Sequence, residues 1–489
     1  MTTDPDVLIV GGGAAGAVLA ARLSEDPSRT VLLLEAGPAP LRFAPDLLDA
    51  RLVPGARQGQ AGVATHPVEL FAGRPYGVQR GRILGGSTTV NGGYFIRARR
   101  ADFARWSAAD DRWSYERVLP LLDSLESDRD FPRGAGPVPV GRPGAAHPLY
   151  GVFAAAAHEL GFPAEPDKNA QEPPGAGAVP CNVEGGTRVN AALAFLEGAR
   201  GRPNLTISGG VPVHGVVVSR GRATAVLAGG ETLRAGEIVL CAGALATPHL
   251  LHLSGIGPPA ALEAAGISVT VASPSVGAAV SDHPQVVVEW TPSGPWSAPG
   301  GSWLGGALHL SSEGSGDSGD LEILQSLLPL GALTGGRAEA APGDPLPLLV
   351  SVQTPRRSGG LTTLSPDPRV APRIVFGYLE TGDDRRRLRE AVRAAAALLG
   401  TDAFAEHSAG PPEIPDSDSA LDAWIRARLG TAQHACGTVP MGEAVDGAGR
   451  VHGVAGLRVA DTSILPTAPL RGPAATALLV GEIVAAGLR

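Results

Sequence analysis

A glycine-rich turn near the start of the chain has the residue types and spacing of a dinucleotide-binding site. Residues 11–16 read Gly-Gly-Gly-Ala-Ala-Gly, and they follow an apolar run at residues 7–10. Gly11 allows a tight turn, Gly13 leaves room for a phosphate, and Gly16 lets a following helix pack closely on the strand. The turn also exposes backbone N–H groups at the start of that helix, and these groups can bind a pyrophosphate.

An acidic residue follows this turn at a fitting distance. A second apolar run, residues 31–34, ends in Glu35, about 20 residues after the turn, where an acid contacts the ribose hydroxyls of a dinucleotide. A carboxylate there repels a 2′-phosphate, so the pattern favours FAD or NAD over NADP. The alternative is an ordinary glycine-rich loop with Glu35 at a solvated strand end, because the motif alone is a weak signal.

The elements that must position these residues are a strand, a helix and a second strand within residues 1–36. From about residue 285 to 380 the chain turns to short β-type runs separated by Gly, Ser and Pro, which indicates an antiparallel sheet. Residues 187–197 resemble a helix with an apolar face, and residues 383–399 predict an amphipathic helix. A length of 489 residues predicts two domains that share an interface.

Composition and charge exclude several classes of protein. The formal net charge is −8, so we expect no broad basic surface and no nucleic-acid partner. Asp4 and Asp6 stand where a signal peptide would carry a basic segment and then an apolar one, so we expect no signal peptide. The most apolar tail, residues 474–488, is too short for a membrane span and contains Glu482, so we expect no transmembrane segment.

Neither the cysteines nor the histidines form a metal-binding pattern. Cys181, Cys241 and Cys436 are scattered, with no C-x-x-C pair, which argues against a zinc site and favours a reducing cytoplasm. His249 and His252 lie three residues apart, but no other ligand type is near them in the sequence. We therefore predict a cytoplasmic protein without a metal.

Several separated segments together resemble the signatures of the glucose–methanol–choline (GMC) flavin oxidoreductases. The first signature resembles residues 80–92, Arg-Gly-Arg-Ile-Leu-Gly-Gly-Ser-Thr-Thr-Val-Asn-Gly, and the second resembles residues 243–257. Residues 276–284 are similar to the family's V-G-x-x-L-x-D-H-P element. Residues 434–442 resemble the segment with the catalytic histidine, and residues 451–466 resemble the C-terminal flavin-binding stretch. Together these segments are far more specific than any one of them.

The resemblance implies an α/β fold with two parts. We expect a Rossmann-like FAD-binding domain built from residues 1–285 and 431–489, and a smaller α+β substrate domain, residues 286–430, with an antiparallel sheet. The resemblance also implies that an alcohol binds between that sheet and the flavin.

The resemblance further implies that FAD binds to small and polar residues of these segments. The expected contacts are Gly11, Gly13, Ala14, Ala15, Gly16, Glu35, Ala36, Arg82, Gly85, Gly86, Ser87, Asn91, Gly92, Val213, Ala242, Gly243, Asp461, Ala474 and Ala475. Gly85 and Gly86 would let the backbone pass close to the isoalloxazine ring. Asp461 could equally cap a helix, and Val213 could equally be a core residue. Some family members attach FAD covalently through a His directly before the Asn of the first signature; Val90 stands there, so we predict noncovalent FAD.

For catalysis, the resemblance implies that His434 is the general base. An imidazole has an unperturbed pKa of about 6.5, so it can accept the proton of an alcohol near neutral pH. The family normally supplies a second His or Asn, but the corresponding position falls on Ala474, and no His or Asn follows His452. Either the second group comes from elsewhere, with Arg471 and Thr476 near in the sequence, or His434 acts alone, or catalysis is impaired.

The function that we predict is FAD-dependent oxidation of an alcohol, with the electrons passed to an acceptor other than or including O₂. The missing second catalytic group favours a dehydrogenase over an oxidase. The chain is also similar to the shorter bacterial members associated with the redox cofactor mycofactocin. The alternatives are a hydroxynitrile lyase that binds FAD, a nicotinamide dehydrogenase that uses only the Rossmann turn, and a catalytically degenerate flavin-binding protein.

Overall fold

The chain begins with a strand at the centre of a five-stranded parallel sheet. The computed structural model describes residues 4–40, 42–57, 59–339, 341 and 343–489. In spatial order the strands of this sheet are Leu205–Gly209, Val31–Glu35, Val7–Val10, Glu237–Leu240 and Leu457–Val459. All four residues of Val7–Val10 are buried, as is typical of a parallel strand covered on both faces.

The helix that follows the first strand packs against the last helix of the chain. Helix Ala14–Leu23 buries eight of its residues, and helix Ala474–Ala486 is buried almost throughout. The two approach closely at Gly481, where a Cβ atom would lie 2.8 Å from the carbonyl oxygen of Ala15. These two helices therefore pack directly on each other, although they are far apart in the sequence.

A second sheet has six antiparallel strands. In spatial order they are Gly430–Thr431, Pro284–Trp290, Leu346–Val352, Leu321–Ser326, Leu304–Leu310 and Ala176–Ala178. The residues of Leu321–Ser326 are all buried, although they include Glu322, Gln325 and Ser326. Buried polar groups on a strand need partners inside the protein.

Smaller sheets and further helices connect these two parts. The four-stranded sheet contains Gly360–Thr362, Arg373–Val375, Val63–Glu69 and Pro75–Gly81, and the three-stranded sheet contains Val213–Ser219, Arg222–Ala228 and Glu231–Arg234. Two-stranded pairs join Glu126–Asp128 with Val138–Val140, Val183–Glu184 with Thr187–Arg188, and Ile256–Gly257 with Val271–Ala272. The other α-helices are Pro45–Leu48, Ser87–Val90, Arg100–Ser107, Tyr115–Leu125, Pro148–Glu159, Thr247–Leu253, Pro259–Ala264, Leu330–Gly335, Gly382–Leu399, Asp402–Ala405 and Asp418–Arg428.

The predicted α/β fold, with a parallel sheet and a separate antiparallel sheet, is confirmed. The predicted amphipathic helix is present as Gly382–Leu399, with Leu388, Val392 and Ala395 buried. The division into residues 1–285, 286–430 and 431–489 stays a prediction. Strand Ala176–Ala178 comes from the first of these segments and pairs with a strand of the second.

The predicted helix at residues 187–197 is wrong. Residues Thr187–Arg188 form a strand, and only Ala192–Leu196 are helical, as a π-helical turn. The buried Asn190 explains this, because its Oδ1 accepts the backbone N–H of Leu193 and starts the helical segment late.

Candidate active site

The glycine-rich turn lies at the carboxyl end of the first strand, as predicted. Gly11 has a φ of +103°, and a Cβ atom there would overlap the carbonyl oxygen of Cys241. A Cβ atom on Gly16 would overlap the carbonyl oxygen of Gly11. Both positions therefore require glycine, for the conformation of the turn and for the approach of the helix.

Gly13 leaves an open space at the start of helix Ala14–Leu23. A Cβ atom on Gly13 would have no neighbour closer than 4.0 Å, where the carbonyl oxygen of Cys241 and the Cα of Gly86 lie. No side chain caps this helix N-terminus. Its free N–H groups and its positive end can bind an anion such as a pyrophosphate.

Glu35 faces this turn from the neighbouring strand. Its Oε2 accepts the N–H of Gly12 at 2.9 Å, and its Oε1 accepts the N–H of Gly37 at 2.8 Å. The side chain is buried, at 5% exposure, and each carboxylate oxygen retains acceptor capacity for a further hydroxyl. The backbone oxygen of Glu35 also accepts the N–H of Val211, which brings the segment before Val213 to the same place.

The second glycine-rich region packs directly on the first. Gly86 has a φ of +53°, and a Cβ atom there would lie 2.7 Å from the Cα of Gly13. Gly85 has a φ of +85° and lies against the side chain of Thr89. The side chain of Ser87 is exposed, and its Oγ accepts the N–H of Gly81 at 3.2 Å. The glycine-rich turn at residues 11–16 and the first signature at residues 80–92 thus pack against each other.

Asp461 organises the end of the parallel sheet beside these turns. Its carboxylate accepts the N–H of Gly243 at 2.9 Å, the hydroxyl of Thr247 at 2.6 Å and the N–H of Ser463 at 2.8 Å. Burial raises the pKa of this carboxyl, although the hydrogen bonds act in the opposite direction. Asp461 therefore does cap the short helical turn Thr462–Ile464, and it also holds Gly243 in place.

The other predicted cofactor contacts differ in how accessible they are. The partly or fully exposed ones are Ala14, Ala36, Arg82, Asn91, Gly92, Val213, Ala242 and Ala474, and the buried ones are Ala15 and Ala475. The Oδ1 of Asn91 accepts the N–H of Gly93 at 3.0 Å. The carbonyl of Gly92 accepts the indole N–H of Trp303 at 2.9 Å. The cofactor-binding role of each residue stays a prediction.

His434 is held by two residues of the segment at 276–284. The Oδ1 of Asp282 accepts the backbone N–H groups of His434 at 2.6 Å and of His283 at 2.8 Å. The Nδ1 atoms of the two imidazoles lie 2.8 Å apart, so one of them donates to the other. The remaining Nε2 of His434 has no partner in the described part of the chain, and the residue is partly exposed.

The environment of His434 keeps its imidazole neutral. Burial, and then the nearby His283, lower the pKa of His434 well below its usual 6.5, while Glu322 acts in the opposite direction. A neutral imidazole with one free nitrogen is the form that can accept a proton. This geometry suits the predicted base but does not test that role.

Gly472 also lies close to the His434 ring, in addition to His283. A Cβ atom on Gly472 would lie 3.3 Å from Cε1 of His434 and 2.9 Å from Cδ1 of Tyr94. Any side chain at this position would collide with the ring of Tyr94. Tyr94 thus lies beside His434, and its only signal in the sequence is its place shortly after the first signature.

The two histidines considered as metal ligands have another partner. The Nδ1 atoms of His249 and His252 lie 2.8 and 3.1 Å from the hydroxyl of Thr363. Among the described residues, no group of three or more His, Cys, Asp and Glu side chains could hold a metal ion. Within those same residues, no helix is long and apolar enough to cross a membrane.

Comparison with known families gives two matches along the chain. The N-terminal family model described as GMC oxidoreductase matches residues 5–285, and the C-terminal one matches residues 355–481. A protein from Rhodococcus erythropolis described as a GMC-type oxidoreductase is 41% identical over 502 residues, covering 98% of this chain and 97% of its own. The oxygen-dependent choline dehydrogenase of Klebsiella pneumoniae is 32% identical, with 99% and 96% coverage.

Solved structures give the same result for the fold. Pyridoxine 4-oxidase from Mesorbium loti superposes with a TM-score of 0.91 at 29% identity, covering 99% of both chains. A formate oxidase of Aspergillus oryzae superposes with a TM-score of 0.89 at 24% identity, covering 99% of this chain and 98% of its own. The likeness to the formate oxidase concerns the fold alone.

Proposed function

Because the chain belongs to the GMC oxidoreductase family, we propose that it oxidises a primary or secondary alcohol by hydride transfer to N5 of FAD, with His434 as the general base. The observation that supports this proposal is the neutral imidazole of His434, whose Nε2 has no partner among the described residues and whose neighbour Gln433 accepts a hydrogen bond from Arg80 of the first signature at 3.2 Å. Membership of the family itself shows that the protein is an FAD-dependent oxidoreductase of the alcohol-oxidising type.

The residues of the glycine turns fit the cofactor. The open space at Gly13 and the uncapped helix N-terminus can take the pyrophosphate, and the free lone pairs of Glu35 can take the ribose. Val90, directly before Asn91, offers no nucleophile, which supports noncovalent binding. When bound, the flavin supplies the acceptor for the hydride.

His434 accepts the proton of the substrate hydroxyl. Asp282 fixes the backbone of His434, and His283 occupies its Nδ1, so the proton of the substrate is accepted at Nε2. The hydroxyl O–H bond breaks as the hydride leaves the adjacent carbon, and the alcohol becomes a carbonyl compound. The electrons then pass to an acceptor other than or including O₂. The three free cysteines suit a reducing compartment, and we place the protein in the cytoplasm.

Anaerobic reduction of the flavin by a panel of alcohols tests this function. The panel includes choline and pyridoxine, because relatives are named for them. At least one alcohol should bleach the flavin band, and His434→Ala should slow this by about 10²–10⁴-fold, the usual contribution of general acid–base catalysis. The matched control is His158→Ala, an exposed histidine on helix Pro148–Glu159.

Three outcomes would contradict the proposal. A colourless protein that binds NAD would favour a nicotinamide enzyme. A yellow protein that cleaves cyanohydrins without bleaching would favour a lyase. A yellow protein that no alcohol reduces, with His434→Ala unchanged, would favour a degenerate binding protein.

A further inference from the structure

Behind Tyr94, buried polar side chains form a continuous line of hydrogen bonds. The hydroxyl of Tyr94 donates to Oε2 of Glu322 at 2.7 Å, and Nε2 of His309 lies 2.9 Å from the same oxygen. Nδ1 of His309 lies 3.1 Å from Nζ of Lys168. Glu322, His309 and Lys168 are 3%, 0% and 0% exposed. The line thus runs from the partly exposed Tyr94 into the interior.

The antiparallel sheet fixes the middle of this line. His309 and Glu322 are directly opposite each other on strands Leu304–Leu310 and Leu321–Ser326. Directly opposite residues of an antiparallel pair have their Cβ atoms about 5 Å apart, so their side chains can contact each other directly. The line is therefore rigid at its centre, as a path for proton transfer must be.

Lys168 is the only lysine of the chain. The sequence has 40 Lys and Arg residues, and every other one is Arg. A guanidinium does not lose its proton in proteins, whereas a buried amine can. Lysine thus stands at a basic position whose side chain is hydrogen-bonded to the titratable groups His309 and Glu165.

Other charged groups face the line from several elements. Lys168 donates to Oε2 of Glu165 at 2.8 Å and to the carbonyl of Gly175 at 3.0 Å. Arg99 donates to the other oxygen of Glu165 at 3.4 Å. Arg471, which is fully buried, donates to two backbone carbonyls, and its Nε and Nη2 have no partner among the described residues.

These neighbours make the amine of Lys168 easy to deprotonate. The pKa of Lys168 is lowered to about 8. Burial is the main cause, Arg471 acts in the same direction, and Glu165 acts in the opposite direction. Burial and Arg471 also lower the pKa of His309. Near neutral pH the line therefore exists both with and without a proton on the lysine.

We propose that Tyr94, Glu322, His309 and Lys168 form a proton-transfer chain that accepts the proton released beside His434 and stores it on Lys168. The proposal rests on the proposed function, because that reaction releases the proton. The rings of Tyr94 and His434 both border Gly472, so the chain begins next to the residue that accepts the proton.

The transfer balances through a change of tautomer at His309. With Lys168 neutral, its lone pair accepts Nδ1–H of His309, and the bare Nε2 faces Glu322. The Nε2–H bond of protonated His434 breaks as Tyr94 takes that proton and gives its own to Glu322; the new carboxylic O–H bond then breaks as Nε2–H of His309 forms. Nδ1–H breaks in turn as the ammonium of Lys168 forms. The final arrangement has Lys168 donating three hydrogen bonds, to His309, Glu165 and Gly175.

The first test reads the state of the lysine directly and needs no turnover. Protein grown with lysine labelled at Cε with ¹³C gives a single side-chain signal, whose shift reports the protonation of Lys168. The expected midpoint is near pH 8. It should move in Tyr94→Phe, which does not touch Lys168, and remain in the control Tyr150→Phe. An unchanged midpoint in Tyr94→Phe would overturn the chain.

The second test is the pH profile of anaerobic flavin reduction. Above its pKa Lys168 is neutral and can accept a proton, so the rate should rise with pH through about 8. This upper limb should vanish in Lys168→Met, with a loss of about tenfold at high pH, less than the usual effect of removing a general base. Lys168→Arg should not restore it, because Arg keeps its proton.

Lys168→Met also leaves the buried Glu165 without one of its cationic partners. The control for this effect is Arg142→Met, since Arg142 likewise pairs with the buried acids Asp128 and Asp167. It should keep the upper limb even if stability falls. If the rise of the rate at high pH persists in Lys168→Met, the proposed proton-transfer chain is refuted and the role of His434 is unaffected. A wild-type flavin that no alcohol reduces would instead refute the proposed function, and the labelled lysine would then decide the coupling by itself.

Discussion

Replacing Gly13 with alanine should weaken cofactor binding without weakening the fold. A Cβ atom at this position would have its nearest neighbours at 4.0 Å, and φ is −74°, so an alanine fits without strain. Gly→Ala at a compatible site stabilises by about 0.4–1 kcal/mol through the unfolded chain. Alanine is a poorer N-cap than glycine by a similar amount, about 0.5–1 kcal/mol. The free energy of unfolding of the apoprotein should therefore hardly change.

The effect on binding is different, because the methyl group would lie where the pyrophosphate approaches the helix N-terminus. Forcing one additional carbon into a filled site typically costs about 1–3 kcal/mol. Since about 1.4 kcal/mol is tenfold in an equilibrium constant, the Kd for FAD should rise by about 5- to 150-fold.

The assay is a titration of apoprotein with FAD, followed by flavin fluorescence, beside urea unfolding of the same preparation. The matched control is Gly151→Ala on helix Pro148–Glu159, where a Cβ atom also meets nothing within 4 Å. Wild-type affinity for FAD in the Gly13 variant would refute the placement of the pyrophosphate. Loss of stability in urea would instead show that the space at Gly13 is not free.

Three further predictions concern the same region. Gly86→Ala should lower the free energy of unfolding by more than Gly210→Ala. Both positions have positive φ, but only at Gly86 would the new Cβ atom overlap backbone atoms. The difference, about 1–3 kcal/mol for overpacking, is read from urea midpoints. Asp461→Ala should lower the free energy of unfolding by about 3 kcal/mol or more, since two buried donors and one partly buried donor lose their acceptor at about 1–3 kcal/mol each; a thermal midpoint equal to wild type would contradict this. The acid limb of kcat/KM should lie below pH 6.5, because the lowered pKa keeps His434 neutral as pH falls, and His283→Asn should move that limb upwards.

The sequence predicted the features that depend on local pattern. The strand, turn and helix around Gly11 and Gly16 are encoded within a few residues, since each glycine is required by its own backbone contact. The amphipathic helix Gly382–Leu399 follows from its own periodicity. Asp461 was expected either to contact FAD or to cap a helix, and the structure shows the cap.

What the sequence could not predict depends on pairing between distant segments. Glu322 and His309 meet because two strands pair, and Lys168 joins them from a segment some 140 residues away. The position of the second catalytic group was assigned to Ala474 from the resemblance and stays a prediction, whereas the closeness of Gly472 and Tyr94 to His434 depends on packing that the sequence does not show. The helix expected at residues 187–197 begins only after Asn190, whose side chain accepts the N–H of Leu193 as a helix cap does.

The order of strands in the parallel sheet has a consequence for how the protein is made. Strand Val7–Val10 and strand Leu457–Val459 lie two places apart in the sheet, with Glu237–Leu240 between them. The first strand leaves the ribosome long before the last, so the sheet waits unfinished while most of the nascent chain is synthesised. Asp461, which accepts the N–H of Gly243 beside the glycine turns, is synthesised long after the strands that it joins. A newly made chain should therefore bind its flavin tightly only once residue 461 has left the ribosome.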